Sequence, residues 1–186
     1  MSKSVLLSIK PKYCELIASG KKTIEVRKTK PKLETPFKCY IYETKALYKP
    51  NGCNHLFKGE GKVIGEFVCD NIIKFAADKK ADNIKLSNMG LLSCLSSLEL
   101  ENYAGGKYYL YGFHISDLVI YDKPKELSEF RTICKYRNDD GSCQFEKVNC
   151  GCCDYDFNQD GSLNLAKCMD YIFRPPQSWG YVEELI

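Results

Sequence analysis

The 186-residue chain contains no apolar run close to the roughly 20 residues that a membrane-spanning helix needs. It has no internal repeat and no low-complexity tract. It lacks a strong overall charge: 27 Lys and Arg face 24 Asp and Glu, a net +3, so the chain as a whole is not a polycation. It has one tryptophan, Trp179. The opening MSKSVLLSIKPKY offers only a short apolar run before Lys10. That run is too short for a secretory leader and reads as a strand, which places the protein in the cytoplasm. The rest is ordinary for a soluble globular domain, with 44% hydrophobic and 27% charged residues. One domain is expected at this length, with a core able to bury about 70% of the unfolded chain's surface.

Cysteine, by contrast, is abundant: there are eleven. An odd count without a leader argues for reduced thiols, some of them on a metal, over a disulfide framework. Cys14, Cys39, Cys69 and Cys94 lie in apolar or periodic segments and read as small core residues.

Charge is unevenly distributed. Residues 1–50 hold 12 basic and 4 acidic side chains, whereas residues 51–186 hold 15 and 20. Such asymmetry suits an anionic partner docking on the N-terminal part, or else an exposed solubilising surface. The segment SGKKTIEVRK at 19–28 concentrates the question, with four basic residues and one acid.

Residues 4–10 read as a buried strand. Pro11 then opens a short helix, in which Tyr13, Leu16 and Ile17 have helical spacing and Gly20 marks the stop. KKTIEVRK alternates, with Ile24 and Val26 on one face and Thr23, Glu25 and Arg27 on the other. Residues 38–45 form a further strand, and 47–61 a loop rich in Pro, Gly and Asn. KVIGEFVCDNIIKF reads as one long strand with a bulge at Gly65. LSSLELENYAGG reads as a helix ended by Gly105 and Gly106. KYYLYGFHISDLVIY is a strand pair or one bent strand, and RPPQSWGYVEEL an edge strand. Strands without regular helical crossovers make this an α+β fold, not a doubly wound one.

The run SIKPKYCELIASGKKTIEVRK resembles the opening of an ASCH (activating signal cointegrator homology) domain. The resemblance continues through VIGEFVCDNII, ENYAGGKYYLYGFHISDLVIYDKP and RPPQSWGYVEEL, covering roughly residues 4–130 and 172–186. It points to a bacterial or phage type, in which the cysteine-rich stretch at about 131–170 is an insertion in a single domain spanning 1–186. The fold so implied is PUA-like, a small mixed β-barrel with flanking short helices.

The resemblance also implies a partner: RNA, DNA or a modified nucleoside, held in a cleft between barrel and helices. Lys10, Lys21, Lys22, Thr23, Glu25, Arg27 and Trp179 are the candidate binding residues. Arg can hold phosphate bidentately and Lys acts as a point charge. Glu25 can accept from the exocyclic amine of a base. The alternative for Glu25 and Arg27 is pairing with neighbouring strands. Trp179 either stacks on a base or packs against the end of the barrel.

A small bacterial branch of the family hydrolyses acylated cytidine with a Lys, a Thr and a Glu. Carried across, the Lys is Lys22. The Thr position holds Glu25, and the nearest Glu candidates are Glu99 and Glu101, of which Glu101 is taken. Lys22, Glu25 and Glu101 thus form the candidate catalytic set. With the nucleophile's place changed, Glu25 could instead serve as a general base on water.

The insertion contains six of the eleven cysteines. Cys134, Cys143, Cys150 and Cys153 could form a structural zinc site. A reduced thiol-rich loop and disulfides are the alternatives. No cofactor is otherwise required. Cys53 and His55 read as incidental. DFNQDG at 156–161 opens like a calcium loop, but Lys167 occupies the position of the bidentate Glu, so it reads as a turn. His114 reads as a satisfied strand histidine. Binding module, nucleoside or RNA hydrolase, and interaction module using the insertion are the three function classes that follow.

Overall fold

The structure is a computed structural model and describes residues 3–49, 55–77, 83–132, 172 and 174–185. The chain begins with β1 (Lys3–Ile9), α1 (Pro11–Ala18), β2 (Ile24–Arg27) and β3 (Phe37–Glu43). Two short strands follow, β4 (Leu47–Tyr48) and β5 (Phe57–Lys58), then β6 (Val63–Cys69) and β7 (Ile72–Ala76). Helices α2 (Asn83–Ser93) and α3 (Ser97–Ala104) precede β8 (Tyr109–His114) and β9 (Ser116–Lys125). β10 (Trp179–Glu183) closes the order. The α+β class expected from the sequence is observed.

The main sheet has the order β10-β1-β3-β6-β9, and a smaller one runs β2-β8-β7. β1 and β3 are parallel, and the other pairs in both sheets are antiparallel. The expected barrel is not closed, because no ladder joins the two sheets among the described residues. Instead the chain passes between them at one level. It leaves β6 at Asp70–Asn71 to enter β7, and leaves β8 at Ile115 to enter β9. His114 N–H donates to the Asn71 carbonyl at 2.9 Å, tying the two crossings together. The single long strand expected over 62–75 is therefore two strands in two sheets. The register of β6 shifts around Gly65 as expected. A Cβ on Gly65 would fall 2.4 Å from the Val119 carbonyl oxygen, so the close approach of β9 requires glycine there.

Three buried clusters hold these layers. One surrounds Val5, Leu7, Ile17, Ile41, Phe67 and Phe113, between α1 and the sheets. A second joins Ile24, Val26 and Leu110 of the small sheet to Leu86 and Met89 of α2 and Leu100 of α3. A third packs Leu6, Tyr40 and Val182 against Leu127 and Phe130 on the far side of the main sheet. Each fully buried large side chain contributes roughly 1.5–3 kcal/mol. All four residues of β2 are buried, so its apolar face belongs to the second cluster and its polar face is enclosed as well.

Helix α2 has no counterpart among the elements expected from the sequence. Leu86 and Met89 supply its buried face, but Leu91 and Leu92 are exposed and blur the helical stripe. Gly90 is needed because a Cβ there would lie 2.7 Å from the Leu95 carbonyl oxygen. The described residues contain no helix long and apolar enough to cross a membrane.

Candidate nucleotide-binding cleft

A cleft of about 830 Å³ opens between the N-terminus of α1, the polar face of β2, the loop after β3, helix α3 and the segment before β10. Its floor is built by β2. Alternation puts Glu25 and Arg27 on the same face, away from the core residues Ile24 and Val26. Lys22 reaches the same floor from the turn that follows α1. That turn is clamped from both sides: Lys22 N–H donates to the Leu16 carbonyl, and Thr23 N–H to the Leu92 carbonyl of α2, each at 2.9 Å.

The three side chains form one buried array. Glu25 Oε2 lies 3.2 Å from Lys22 Nζ, and Glu25 Oε1 lies 3.1 Å from Arg27 Nη2. Lys22 is 2% exposed, Arg27 6% and Glu25 7%, so water screens the pairs poorly. Lys22 Nζ also donates to the Ser93 carbonyl at 2.8 Å, at the C-terminal end of α2. A cation there satisfies a terminal carbonyl and complements the helix dipole. Arg27 Nη2 donates to the Ser8 carbonyl at 2.9 Å, while its Nε is buried without an acceptor among the described residues. Two cations thus hold one carboxylate in a fixed position, with one positive charge left over.

Around this floor the walls are mixed. Tyr13 of α1 lies beneath Lys22 Nζ, which is 5.3 Å from its ring centroid. Helix α3 presents Glu99, Asn102 and Tyr103 to the cleft, and Lys28 Nζ sits 5.2 Å from the Tyr103 centroid. Lys10, Thr29, Thr44, Leu47, Gln177 and Ser178 complete the rim. Glu99 doubles as a cap for α3. Its Oε2 accepts from Ser96 N–H at 2.7 Å and from Ser96 Oγ–H at 2.8 Å, and the Ser96 hydroxyl accepts from Glu99 N–H. Burial pushes the Glu99 carboxyl up, but these hydrogen bonds and the charge of Lys12 outweigh it and hold it below its ordinary range.

The cleft brings together Lys10, Lys22, Glu25 and Arg27 from the sequence expectations. Four other candidates lie outside its lining. Lys21 is exposed on the turn, and its carbonyl accepts from the Cys94 thiol. Thr23 uses its backbone to join α2 and Ile115. Glu101 lines a shallow hollow with Lys107 and Tyr108, so on α3 it is Glu99, not Glu101, that faces the cleft. Trp179 supports the rim from behind: its Nε1–H donates to Thr29 Oγ1 at 3.0 Å, and its ring meets Tyr181 edge to face at 5.4 Å. Sequence reasoning missed Tyr13, Asn102 and Tyr103 as cleft residues. Spacing puts residues 99, 102 and 103 on one side of α3 but does not say that this side faces β2.

Cys14, Cys39 and Cys69 are buried as expected. Burial pushes all three thiols up, that of Cys69 to about 12. Cys94 is instead a half-buried turn residue with φ of 54°. His114 Nδ1 pairs with Asp70 Oδ1 at 2.6 Å. His55 lies 3.3 Å from Glu15 and against Phe57. Cys53, the candidate zinc ligands Cys134, Cys143, Cys150 and Cys153, and the stretch 156–161 lie outside the described residues. Among the described residues no three His, Cys, Asp or Glu side chains are grouped to hold a metal.

No curated protein matches the chain. Solved structures do match it. The ASCH protein from Zymomonas mobilis is 21% identical, with 97% of this chain and 88% of that one covered and a TM-score of 0.51. A serine-to-alanine mutant of that protein is 19% identical over 97% and 89%, at a TM-score of 0.56. A tyrosine-to-phenylalanine mutant of it is 23% identical over 68% and 77%, at 0.50. At these identities the likeness shows the fold. The family model of the ASCH domain matches residues 7–118, from the end of β1 to the start of β9, and so spans the β2 array and most of the cleft. This chain belongs to the ASCH domain family.

Proposed function

We propose that the chain binds RNA, DNA or a modified nucleoside, and that the cleft over β2 takes one nucleotide unit with the base inward and the phosphate at the rim. The observation that carries this reading is the fixed Glu25 carboxylate on the floor. A phosphate at that depth would meet a carboxylate, whereas a base amine would find an acceptor. At the rim, Lys10 and Lys28 supply positive charge where a backbone phosphate would lie. Tyr13 and Tyr103 line the cleft, each with a lysine Nζ against its ring. The volume of about 830 Å³ falls in the range usual for small-molecule sites. The basic run at 19–28 is therefore divided: Lys22 and Arg27 organise an acceptor, and Lys28 serves the anion. Titrating single-stranded RNA, single-stranded DNA and modified nucleosides against wild type and Lys10→Ala/Lys28→Ala tests the reading. Equal binding by both proteins would sink it.

One observation favours a second reading, hydrolysis of a nucleoside amide or an RNA phosphodiester. A buried carboxylate held by two cations can position a water for attack. A lysine base is disfavoured by the contacts of Lys22. Lys22 Nζ is engaged by the Ser93 carbonyl and by Glu25, and by the family resemblance Glu25 stands where the acylcytidine hydrolases have threonine. Release of cytidine from acylated cytidine at neutral pH should stay at background. Turnover that Lys22→Ala abolishes would establish the hydrolase instead.

A further inference from the structure

We propose that a second basic and aromatic platform, formed by Lys74, Lys107, Tyr108 and Tyr109, extends the cleft and binds the neighbouring nucleotides of a single strand. The inference rests on the cleft reading above and adds that the ligand is an oligonucleotide, not a free nucleoside.

Tyr108 is 54% exposed and Tyr109 44%, two exposed aromatic side chains beside each other, with Lys74 Nζ over the Tyr109 ring. They meet edge to face, with centroids 4.6 Å apart at 84°. Lys74 Nζ lies 3.8 Å from the Tyr109 centroid, reaching across from β7, where Ala76 pairs with Tyr109 and Lys74 with Tyr111. Lys107 is exposed immediately before the pair. Bases stack on aromatic rings whatever their identity, and lysines beside them take the phosphates. A single carboxylate among the described residues, that of Glu101, lines the hollow next to Lys107 and Tyr108.

The platform continues the cleft. Lys28 Nζ, at the rim against Tyr103, would lie 3.4 Å from a Cβ on Gly105. Gly105 and Gly106 then turn the chain with φ of 57° and 87° and deliver Lys107 directly. Two peptide units separate Gly105 from Lys107, at most about 7.6 Å between Cα atoms. Lys28, Lys107 and Lys74 thus mark a cationic track from the cleft mouth to the tyrosines, complementary to a phosphate backbone.

The experiment compares a nucleoside monophosphate with single-stranded RNA and DNA oligomers of increasing length, against wild type, Tyr108→Ala/Tyr109→Ala and Tyr108→Phe/Tyr109→Phe. Wild-type affinity should rise with length. The alanine pair should lose roughly tenfold or more for oligomers and nothing for the monophosphate, and the phenylalanine pair should bind as wild type. An alanine pair that binds oligomers as tightly as wild type overturns the platform, while monophosphate binding that weakens in Lys10→Ala/Lys28→Ala leaves the cleft standing. Oligomer binding that depends on the tyrosines but not on Lys10 and Lys28 overturns the cleft reading and, with it, the claim that the platform extends the cleft.

Discussion

Lys22 Nζ lies 2.8 Å from the carbonyl oxygen of Ser93, a residue 71 positions later in the chain. The contact joins the turn before β2 to the end of α2. With the Glu25 pair, it makes Lys22 a keystone of the cleft floor rather than a mobile surface charge. Removing Lys22 would leave the buried Ser93 carbonyl without its donor, at about 1–3 kcal/mol, while Arg27 still compensates Glu25. Lys22→Ala should therefore destabilise the protein by that order in urea unfolding, while Lys21→Ala, on the exposed neighbour, should fall within about 0.5 kcal/mol of wild type. Similar losses in the two variants would mean that the array is not held as described.

The Glu99 cap gives stability a pH dependence. Its folded carboxyl titrates below the ordinary carboxylate value, so its contribution is complete above that ordinary value. The contribution is lost as pH falls through the lowered folded value. Thermal unfolding of wild type and Glu99→Gln between about pH 3 and pH 6 checks this, and the two curves should converge toward the acid end. Parallel curves across the range would remove Glu99 as the titrating cap.

The three core thiols should be silent. With Cys14, Cys39 and Cys69 buried and their thiols pushed up by that burial, little thiolate forms at neutral pH. Alkylation followed by peptide mass mapping should leave these three unmodified in the native protein and label them after unfolding. Native labelling of Cys69 at a rate typical of a free thiol would contradict its placement.

The sequence announces β1, α1 and β2 plainly, since Pro11 and Gly20 punctuate the helix and Ile24 and Val26 alternate with Glu25 and Arg27. It also announces that carboxylate and guanidinium share one strand face, though not that they pair with each other. It does not announce the burial of Lys22, because the elements that cover that side chain include α2, whose exposed leucines hide its helical stripe. The handover of β6 to β7 at Asp70–Asn71 is equally hidden, because an apolar run continues on both sides of it. Spacing alone favours neither Glu99 nor Glu101, because it does not say which side of α3 faces β2. Leu100 and Ala104 fix that rotation by being buried.

The central claim is that the cleft is where nucleic acid binds, with phosphate at the rim. The most direct measurement is anisotropy of a labelled single-stranded RNA titrated with wild type and with Lys10→Ala/Lys28→Ala at several salt concentrations. Both lysines lie on the rim, outside the buried array. The account predicts weaker binding by the variant and a salt dependence shallower by about 1.4 in log–log slope, as expected for two lost phosphate contacts on a single strand. Identical affinity and identical slope at every salt concentration would contradict it.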